Sequence, residues 1–179
     1  MTDSSSPTQN VILIGFMGTG KTSIGRRVAQ SLGFDFVDTD EQIIESVGKP
    51  IAEIFAEQGE EGFRDLESAV LRSALGGKNQ VISTGGGAVL REENRQALAK
   101  SGYVIWLNAS AEAILNRVSR NQERPLLQTA DPLGTIREML KQREKLYLET
   151  ADFTIDTDGL SPDETAFGIC ESARVIFGT

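Results

Sequence analysis

A glycine-rich stretch near the start of the chain has the residue types that hold phosphate groups. Residues 15–22 read GFMGTGKT, which fits the pattern G-x-x-x-x-G-K-[ST] between an apolar run and a helical pattern. Glycines let such a loop close around phosphate oxygens, and amides at a helix amino terminus direct partial positive charge toward them. The stretch predicts a nucleoside triphosphate site formed by Gly18, Thr19, Gly20, Lys21, Thr22 and Ser23. For Ser23, an ordinary place in the first helical turn explains the residue equally well.

Two carboxylates follow the next apolar run, in the sequence Asp38-Thr39-Asp40. In extended backbone, residues i and i+2 face the same way about 7 Å apart, so both side chains are expected in the crevice where parallel sheets bind ligands. One carboxylate would face Mg²⁺ and the other an acceptor group. No aspartate ends the third apolar run, so the predicted metal ligands are Thr22 and Asp38. A helix-capping pair is the alternative interpretation.

Three consecutive glycines, Gly85, Gly86 and Gly87, follow the third apolar run. Residues without side chains cost backbone entropy, and close approach of the backbone to a ligand would explain that cost. The alternative is a plain loop before a helix. The glycine run is therefore a predicted part of a substrate site.

Four arginines lie near these motifs, and each one alone could be an ordinary surface charge. They are Arg64, Arg117, Arg124 and Arg143. Arg64 could also form a structural ion pair with Glu67, three residues later in a helical pattern. If the arginines converge, their guanidinium groups would bind carboxylates and phosphates in bidentate fashion.

The composition restricts the chemistry further. The chain has 179 residues, 39% hydrophobic and 25% charged, which is typical of one globular domain. It contains no histidine, which excludes a serine–histidine triad, a histidine base and histidine-ligated zinc. The net charge of -8 is a modest argument against broad nucleic-acid or anionic-membrane binding, and no apolar run is long enough to span a bilayer. The single cysteine favours the cytoplasm, and the size suits a monomer.

The elements that must position these residues follow from the apolar periodicity. Strands predicted at 11–16, 34–38, 80–84, 103–108 and 153–156 alternate with helical patterns, which indicates an α/β fold with a central five-stranded parallel sheet flanked by helices. Helices are expected to end at Gly33 and Gly48.

The chain is expected to form one domain over 10–179, after a disordered leader over 1–9. Two stretches depart from the regular alternation. A helical segment at about 39–75, with a long charged helix over 50–75, would bind a substrate. The polar, arginine-containing stretch at about 119–132 would form a mobile lid, with an ordinary surface loop as the alternative.

Taken together, the motifs resemble those of the shikimate kinase family, and the resemblance covers residues 10–177. In chain order they are GFMGTGKT, FVDTD, GEEGFRDLE, STGGG, RPLL, REKLY and IDTDGLSP. The resemblance implies a P-loop kinase fold. It also implies transfer of the γ-phosphoryl group of MgATP to the 3-hydroxyl of shikimate, giving shikimate 3-phosphate and ADP in the chorismate pathway of aromatic amino acid biosynthesis.

The resemblance implies roles for residues on the acceptor side. Asp40 would contact the hydroxyl that is phosphorylated, Arg64 and Arg143 would hold the shikimate carboxylate, and Gly86 would meet the ring. The aromatic residues that would line the pocket, and that are otherwise expected in the core, are Phe55 and Phe63.

On the nucleotide side, the resemblance implies that Asp38 supports Mg²⁺ through water, that Arg124 contacts phosphate and that Arg117 packs on adenine. The segment 156–162 resembles the loop bordering the base, which Asp158 makes more acidic than the family pattern. The conservative departures from that pattern are Thr22 and Thr84.

These residue types suit in-line phosphoryl transfer, in which catalysis is mostly positioning and charge stabilisation. The predicted catalytic residues are Lys21, which neutralises phosphate oxygens together with Mg²⁺, Asp40, which orients the hydroxyl and accepts its proton, and Arg124, which arrives as the lid closes. Two alternatives stay open. One is a related sugar-acid kinase of the gluconokinase type, and the other is a nucleotide-binding regulatory protein that has lost the transfer reaction.

Overall fold

A five-stranded parallel sheet, in the strand order β2-β3-β1-β4-β5, forms the centre of the molecule. The computed structural model describes residues 9–120 and 129–179. Its strands are β1 (Val11–Ile14), β2 (Asp35–Asp38), β3 (Gln80–Ser83), β4 (Tyr103–Asn108) and β5 (Phe153–Asp156). The predicted α/β sheet is confirmed. Because all its strands run in one direction, their carboxyl ends lie at the same edge, and the glycine-rich motifs leave from that edge.

The largest correction to the strand predictions is at the end of β1, whereas β2 and β3 are each one residue shorter than predicted. The apolar run continues to Phe16, but the strand ends at Ile14 because Gly15 adopts a φ of 145° and turns the chain out of the sheet. Phe16 is nevertheless buried, so its apolar character reflects a core position beyond the strand.

Helices cover both faces of the sheet. They are α1 (Lys21–Leu32), α2 (Thr39–Val47), α3 (Ile51–Leu75), α4 (Glu92–Ser101), α5 (Ala111–Val118), α6 (Pro132–Thr150) and α7 (Pro162–Phe177), with a 3-10 turn at Ala88–Leu90. As predicted, α1 and α2 end at Gly33 and Gly48, whose left-handed backbones let their N–H groups bond to Ala29 and Ile44 carbonyls. The predicted charged helix is two helical segments that meet at Gly59, where φ is 70° and ψ is -177°.

The core lies on both faces of the sheet, because alternate residues of β1 point to opposite sides. Val11 and Leu13 pack with residues of α1 and α7. Ile12 and Ile14 pack with residues of α3, α4 and α6. All four residues are fully buried, so the loop that follows β1 leaves from the most rigidly packed part of the fold.

Residues 1–8 and 121–128 lie outside the described part of the chain. Most of the predicted leader and the centre of the predicted lid fall there, together with Arg124, so these stay predictions. Among the described residues, no helix combines the length and the apolar composition needed to cross a bilayer.

Candidate active site

The loop between β1 and α1 has the conformation that its glycines allow. Gly15, Gly18 and Gly20 all have positive φ angles, of 145°, 77° and 91°. A Cβ atom at Gly15 would lie 2.5 Å from the Leu107 carbonyl oxygen, so only glycine fits there. Gly20 is the residue that caps α1, and no described side chain caps this helix end. The first amides of α1 are therefore available to an anion.

Side chains of the same loop fold back onto its backbone. The buried Lys21 ammonium donates hydrogen bonds to the carbonyl oxygens of Gly15 and Phe16, each at 2.8 Å. The Thr19 hydroxyl also donates to the Phe16 carbonyl, at 2.9 Å. The loop is thus closed by its own side chains, with the positive charge of Lys21 held inside it.

Asp38 joins α1 to α2. Its Oδ2 accepts a hydrogen bond of 2.7 Å from the Thr22 hydroxyl, and its Oδ1 accepts from the backbone N–H groups of Asp40 and Glu41. The two predicted metal ligands therefore lie side by side. Asp38 also caps α2, as the alternative interpretation had it.

The expected extended spacing of Asp38 and Asp40 is wrong. Because Asp38 caps a helix that begins at Thr39, Asp40 lies in the first turn of α2 rather than in extended chain. The helical turn brings the Asp40 carboxylate to the glycine run, where a Cβ atom built on Gly85 would lie 2.9 Å from its Oδ1.

The glycine run is the point where several predicted site residues meet. A Cβ atom on Gly85 would lie 2.6 Å from Oε1 of Glu67, and one on Gly87 would lie 2.2 Å from Nη1 of Arg64. A Cβ atom on Gly86 would lie 3.2 Å from the backbone nitrogen of Met17, in the phosphate-binding loop. The absence of side chains in this run lets charged groups and the phosphate-binding loop approach its backbone.

The two arginines expected to act together do lie at neighbouring glycines. Arg143, on α6, donates from Nη1 to the Gly86 carbonyl at 3.2 Å, and its guanidinium carbon lies 5.5 Å from the centre of the Phe16 ring. Arg64, on α3, lies against Gly87. The fold thus brings together two cations that are far apart in the sequence.

Arg64 is held by a buried carboxylate. Its Nη1 lies 2.6 Å from Oε2 of Glu67, and the two side chains are 11% and 2% exposed. The ion pair considered from the sequence is therefore present. The buried Nε of Arg64 has no hydrogen-bond acceptor among the described residues. Buried donors without an acceptor are rare in folded proteins, and a bound water or a ligand would satisfy this one.

Aromatic rings pack next to Arg64. Phe55 stacks on the buried Phe63 with ring centroids 4.3 Å apart, and the Arg64 guanidinium lies 5.3 Å from the Phe63 ring centroid. Trp106, on β4, is buried and stacks on Tyr147.

On the nucleotide side, Arg117 connects the phosphate-binding loop to the segment after β5. It donates to the Gly18 carbonyl at 3.3 Å, and to the hydroxyl and carbonyl oxygens of Thr157 at 3.1 and 3.3 Å. The extra acidic residue, Asp158, accepts from the Ser110 backbone N–H at 3.2 Å. Its charge therefore faces the amino end of α5, which a carboxylate stabilises.

Ser23 has a partner within its own helix. Its exposed hydroxyl accepts a hydrogen bond of 2.7 Å from Arg27, one turn further along α1. This contact agrees with the alternative interpretation, in which Ser23 is an ordinary residue of the first helical turn. The predicted contact of Ser23 with phosphate stays a prediction.

Comparison with known proteins identifies the family. A family model described as shikimate kinase matches residues 17–174. The chain belongs to the shikimate kinase family. A shikimate kinase from Thermodesulfovibrio yellowstonii is 51% identical over 88% of this chain and 91% of that protein. One from Symbiobacterium thermophilum is 47% identical over 92% of this chain and 96% of that protein.

A solved structure of a shikimate kinase supports the same relationship. The enzyme from Acinetobacter baumannii, in complex with shikimate, superposes with a TM-score of 0.89 at 38% identity, covering 97% of this chain and 95% of that one. This chain is therefore similar to shikimate kinases in its fold as well as in its sequence motifs.

Sequence reasoning missed two anchors of the glycine run. The buried Thr39 hydroxyl accepts from the Gly85 N–H at 3.2 Å, and the buried Tyr147 hydroxyl donates to the Gly86 carbonyl at 2.5 Å. Helical spacing could have pointed to Tyr147, because it follows Arg143 by four residues and so shares its face of α6. Burial raises the pKa of the Tyr147 phenol to about 12, which keeps the hydroxyl protonated as a donor.

Proposed function

We propose that this protein is a shikimate kinase that transfers the γ-phosphoryl group of ATP to the 3-hydroxyl of shikimate. The observation that carries the proposal is the meeting of Asp40, Arg64 and Arg143 at a glycine run that touches the phosphate-binding loop. A kinase needs this arrangement, because the acceptor hydroxyl must lie in line with the outermost phosphate of the donor.

The arginines would bind the carboxylate of the acceptor. Arg64 has a buried Nε without an acceptor among the described residues, so a carboxylate there would satisfy a donor that otherwise costs free energy. Arg143 donates from Nη1 to the Gly86 carbonyl. Because a guanidinium has five N–H donors, others would be left for a carboxylate. Phe55 and Phe63 would cover the apolar side of the ring.

Asp40 would orient the 3-hydroxyl and accept its proton. The bond between the γ-phosphorus and the bridging oxygen to the β-phosphate breaks, and a bond from the acceptor oxygen to the γ-phosphorus forms. The electron pair of the broken bond stays on ADP. Lys21 would turn from the loop carbonyls to the phosphate oxygens, and Arg124, outside the described residues, would supply a further positive charge to them.

The residues present fit a magnesium ion. Thr22 and Asp38 place two oxygen ligands 2.7 Å apart beside the loop, and oxygen donors are what Mg²⁺ prefers. When bound, Mg²⁺ neutralises charge on the β- and γ-phosphate oxygens. Thr22 would bind it directly and Asp38 through water.

The proposal also includes a monomer in the cytoplasm with neither nucleic acid nor membrane as a partner. The net charge of -8 supports the absence of nucleic-acid and membrane partners, the single cysteine supports the cytoplasm, and the chain length of 179 residues suits a monomer. Light scattering of the purified protein would test the monomer against the chain mass of 19.4 kDa.

A coupled assay of ADP release, with shikimate as the only acceptor, tests the proposed reaction. We expect turnover with shikimate and none with gluconate. Lys21→Met should abolish turnover, whereas Lys145→Met, whose side chain is 81% exposed on α6, should leave it unchanged. Turnover of gluconate alone would support the sugar-acid kinase alternative, and ATP binding without any product would support the regulatory one.

A further inference from the structure

We propose that Tyr147 is a positioning residue for the acceptor site, where its hydroxyl fixes the Gly86 carbonyl and so sets the glycine run and Arg143 for binding of the acceptor carboxylate. This inference rests on the proposed function. Tyr147 is 1% exposed, so it acts through the residues it holds rather than by touching a substrate.

The geometry centres on one carbonyl oxygen. Gly86 accepts from the Tyr147 hydroxyl at 2.5 Å and from Nη1 of Arg143 at 3.2 Å. A carbonyl oxygen has two lone pairs, so these two donors together satisfy it. Both donors lie on α6, in successive turns, so a single helix fixes the position of the carbonyl.

The glycine run needs such anchors. Three consecutive glycines have wide backbone freedom and no side chains to fix them. Thr39 holds the Gly85 N–H, and Tyr147 and Arg143 hold the Gly86 oxygen. Because a peptide unit is planar, holding that oxygen also fixes the direction of the N–H group of Gly87, the residue against which Arg64 lies.

Tyr147 is itself held rigidly. Its ring stacks on Trp106 with centroids 5.6 Å apart, in the core between the sheet and α6. Burial raises the pKa of its phenol, so the hydroxyl stays protonated at neutral pH and donates to the carbonyl. With this hydroxyl in place, Arg143 does not have to satisfy the carbonyl alone. Without it, the carbonyl would hold the Arg143 guanidinium more strongly and compete with the acceptor carboxylate.

Tyr147→Phe tests the inference, because it keeps the stacked ring and removes only the hydroxyl. We expect the KM for shikimate to rise about 5- to 10-fold, as for loss of one hydrogen bond, with the KM for ATP unchanged. Tyr103→Phe is the matched control, since the Tyr103 hydroxyl bonds to Ser172 on α7, away from the glycine run. It should leave both KM values unchanged.

The outcomes separate the inference from the proposed function. A wild-type enzyme without shikimate turnover would refute the proposed function and the inference with it. An active wild type with an unchanged KM for shikimate in Tyr147→Phe would overturn the inference alone. A parallel rise in both KM values with a large loss of Tm would also overturn it, because that pattern indicates a general packing role.

A measurement on the wild-type protein covers the case in which the variant does not fold. With ¹³C at the Cζ atom of both tyrosines, titration with shikimate should shift the NMR signal of Tyr147 and leave that of Tyr103 in place. An unmoved Tyr147 signal at saturating shikimate would overturn the inference.

Discussion

Substitution of Arg64 by lysine and by alanine should separate acceptor binding from stability. Arg64 and Glu67 are 11% and 2% exposed and 2.6 Å apart. Alanine would leave the Glu67 carboxylate without this partner, and removal of one partner of a buried ion pair costs about 3–5 kcal/mol. For a chain of this size, that loss lowers Tm by roughly 6–20 °C. Lysine keeps a positive charge near Glu67 and should lose much less stability.

The two variants should nevertheless share a defect in acceptor binding. Lysine lacks both the planar fork and the Nε donor of Arg64, which has no acceptor among the described residues. A charge-assisted bidentate contact contributes about 1.5–3 kcal/mol, which corresponds to a rise of about 10- to 150-fold in the KM for shikimate. The KM for ATP should not change, because the described contacts of Arg64 lie on α3 and at Gly87.

The assay is coupled ADP release with shikimate varied at saturating ATP, together with Tm from thermal unfolding. Arg72→Lys is the matched control, because Arg72 is on the same helix with its side chain 59% exposed, and it should change neither quantity. If Arg64→Lys has the wild-type KM for shikimate, Arg64 does not bind the acceptor carboxylate. If it raises both KM values equally, the effect is on the whole site.

Three further substitutions test other parts of the site and fold. Gly85→Ala would place a Cβ atom within 3 Å of the Asp40 and Glu67 carboxylates, so we expect kcat to fall about 100-fold, as for misplacement of a reacting group, in the ADP assay. Arg117→Ala removes the contact to the phosphate-binding loop and should raise the KM for ATP about 5-fold with the KM for shikimate unchanged. Hydrogen bonds from Ser161 lower the pKa of Glu164, so its stabilisation is present above its ordinary value of 4.5 and is lost as pH falls. Glu164→Gln should reduce stability to urea at pH 7 and reduce it less at pH 3.

Controls and contradictory results for these substitutions follow from the same contacts. Gly168→Ala controls for Gly85→Ala, because its Cβ atom would make an ordinary contact of 3.4 Å with Ile155 and should leave kcat unchanged. Wild-type kcat in Gly85→Ala would contradict the placement of the carboxylates. An equal rise in both KM values in Arg117→Ala would argue against a nucleotide-side role. An equal loss of stability at both pH values in Glu164→Gln would show that its charge does not matter.

The sheet could be predicted from the sequence because its strands are short apolar runs separated by helical patterns. Gly33 and Gly48 predicted helix ends correctly, since left-handed backbone at those positions favours glycine. The end of β1 was missed because the buried Phe16 extends the apolar run past the turn at Gly15. Burial and strand conformation give the same apolar signal, so the sequence does not separate them.

For the candidate site, the sequence pointed to residue types but not to how the residues are arranged. Asp40 was predicted to face an acceptor, and its carboxylate lies beside Gly85. The reasoning from extended spacing was wrong, because capping by Asp38 starts a helix at once. The bond from Tyr147 to Gly86 joins residues 61 positions apart and depends on how α6 packs against the sheet. Residue spacing along the chain does not predict how α6 packs against the sheet.

The carboxylate of Asp38 connects the two ends of the proposed reaction path. One of its oxygens is bonded to Thr22 at the start of α1, and the other starts the helix that carries Asp40. In the proposed reaction, the distance from donor to acceptor would therefore be set across a single short side chain rather than through a long series of contacts. A shift of α1 relative to α2 would strain one of these bonds, so Asp38 couples the start of α1 to the start of α2.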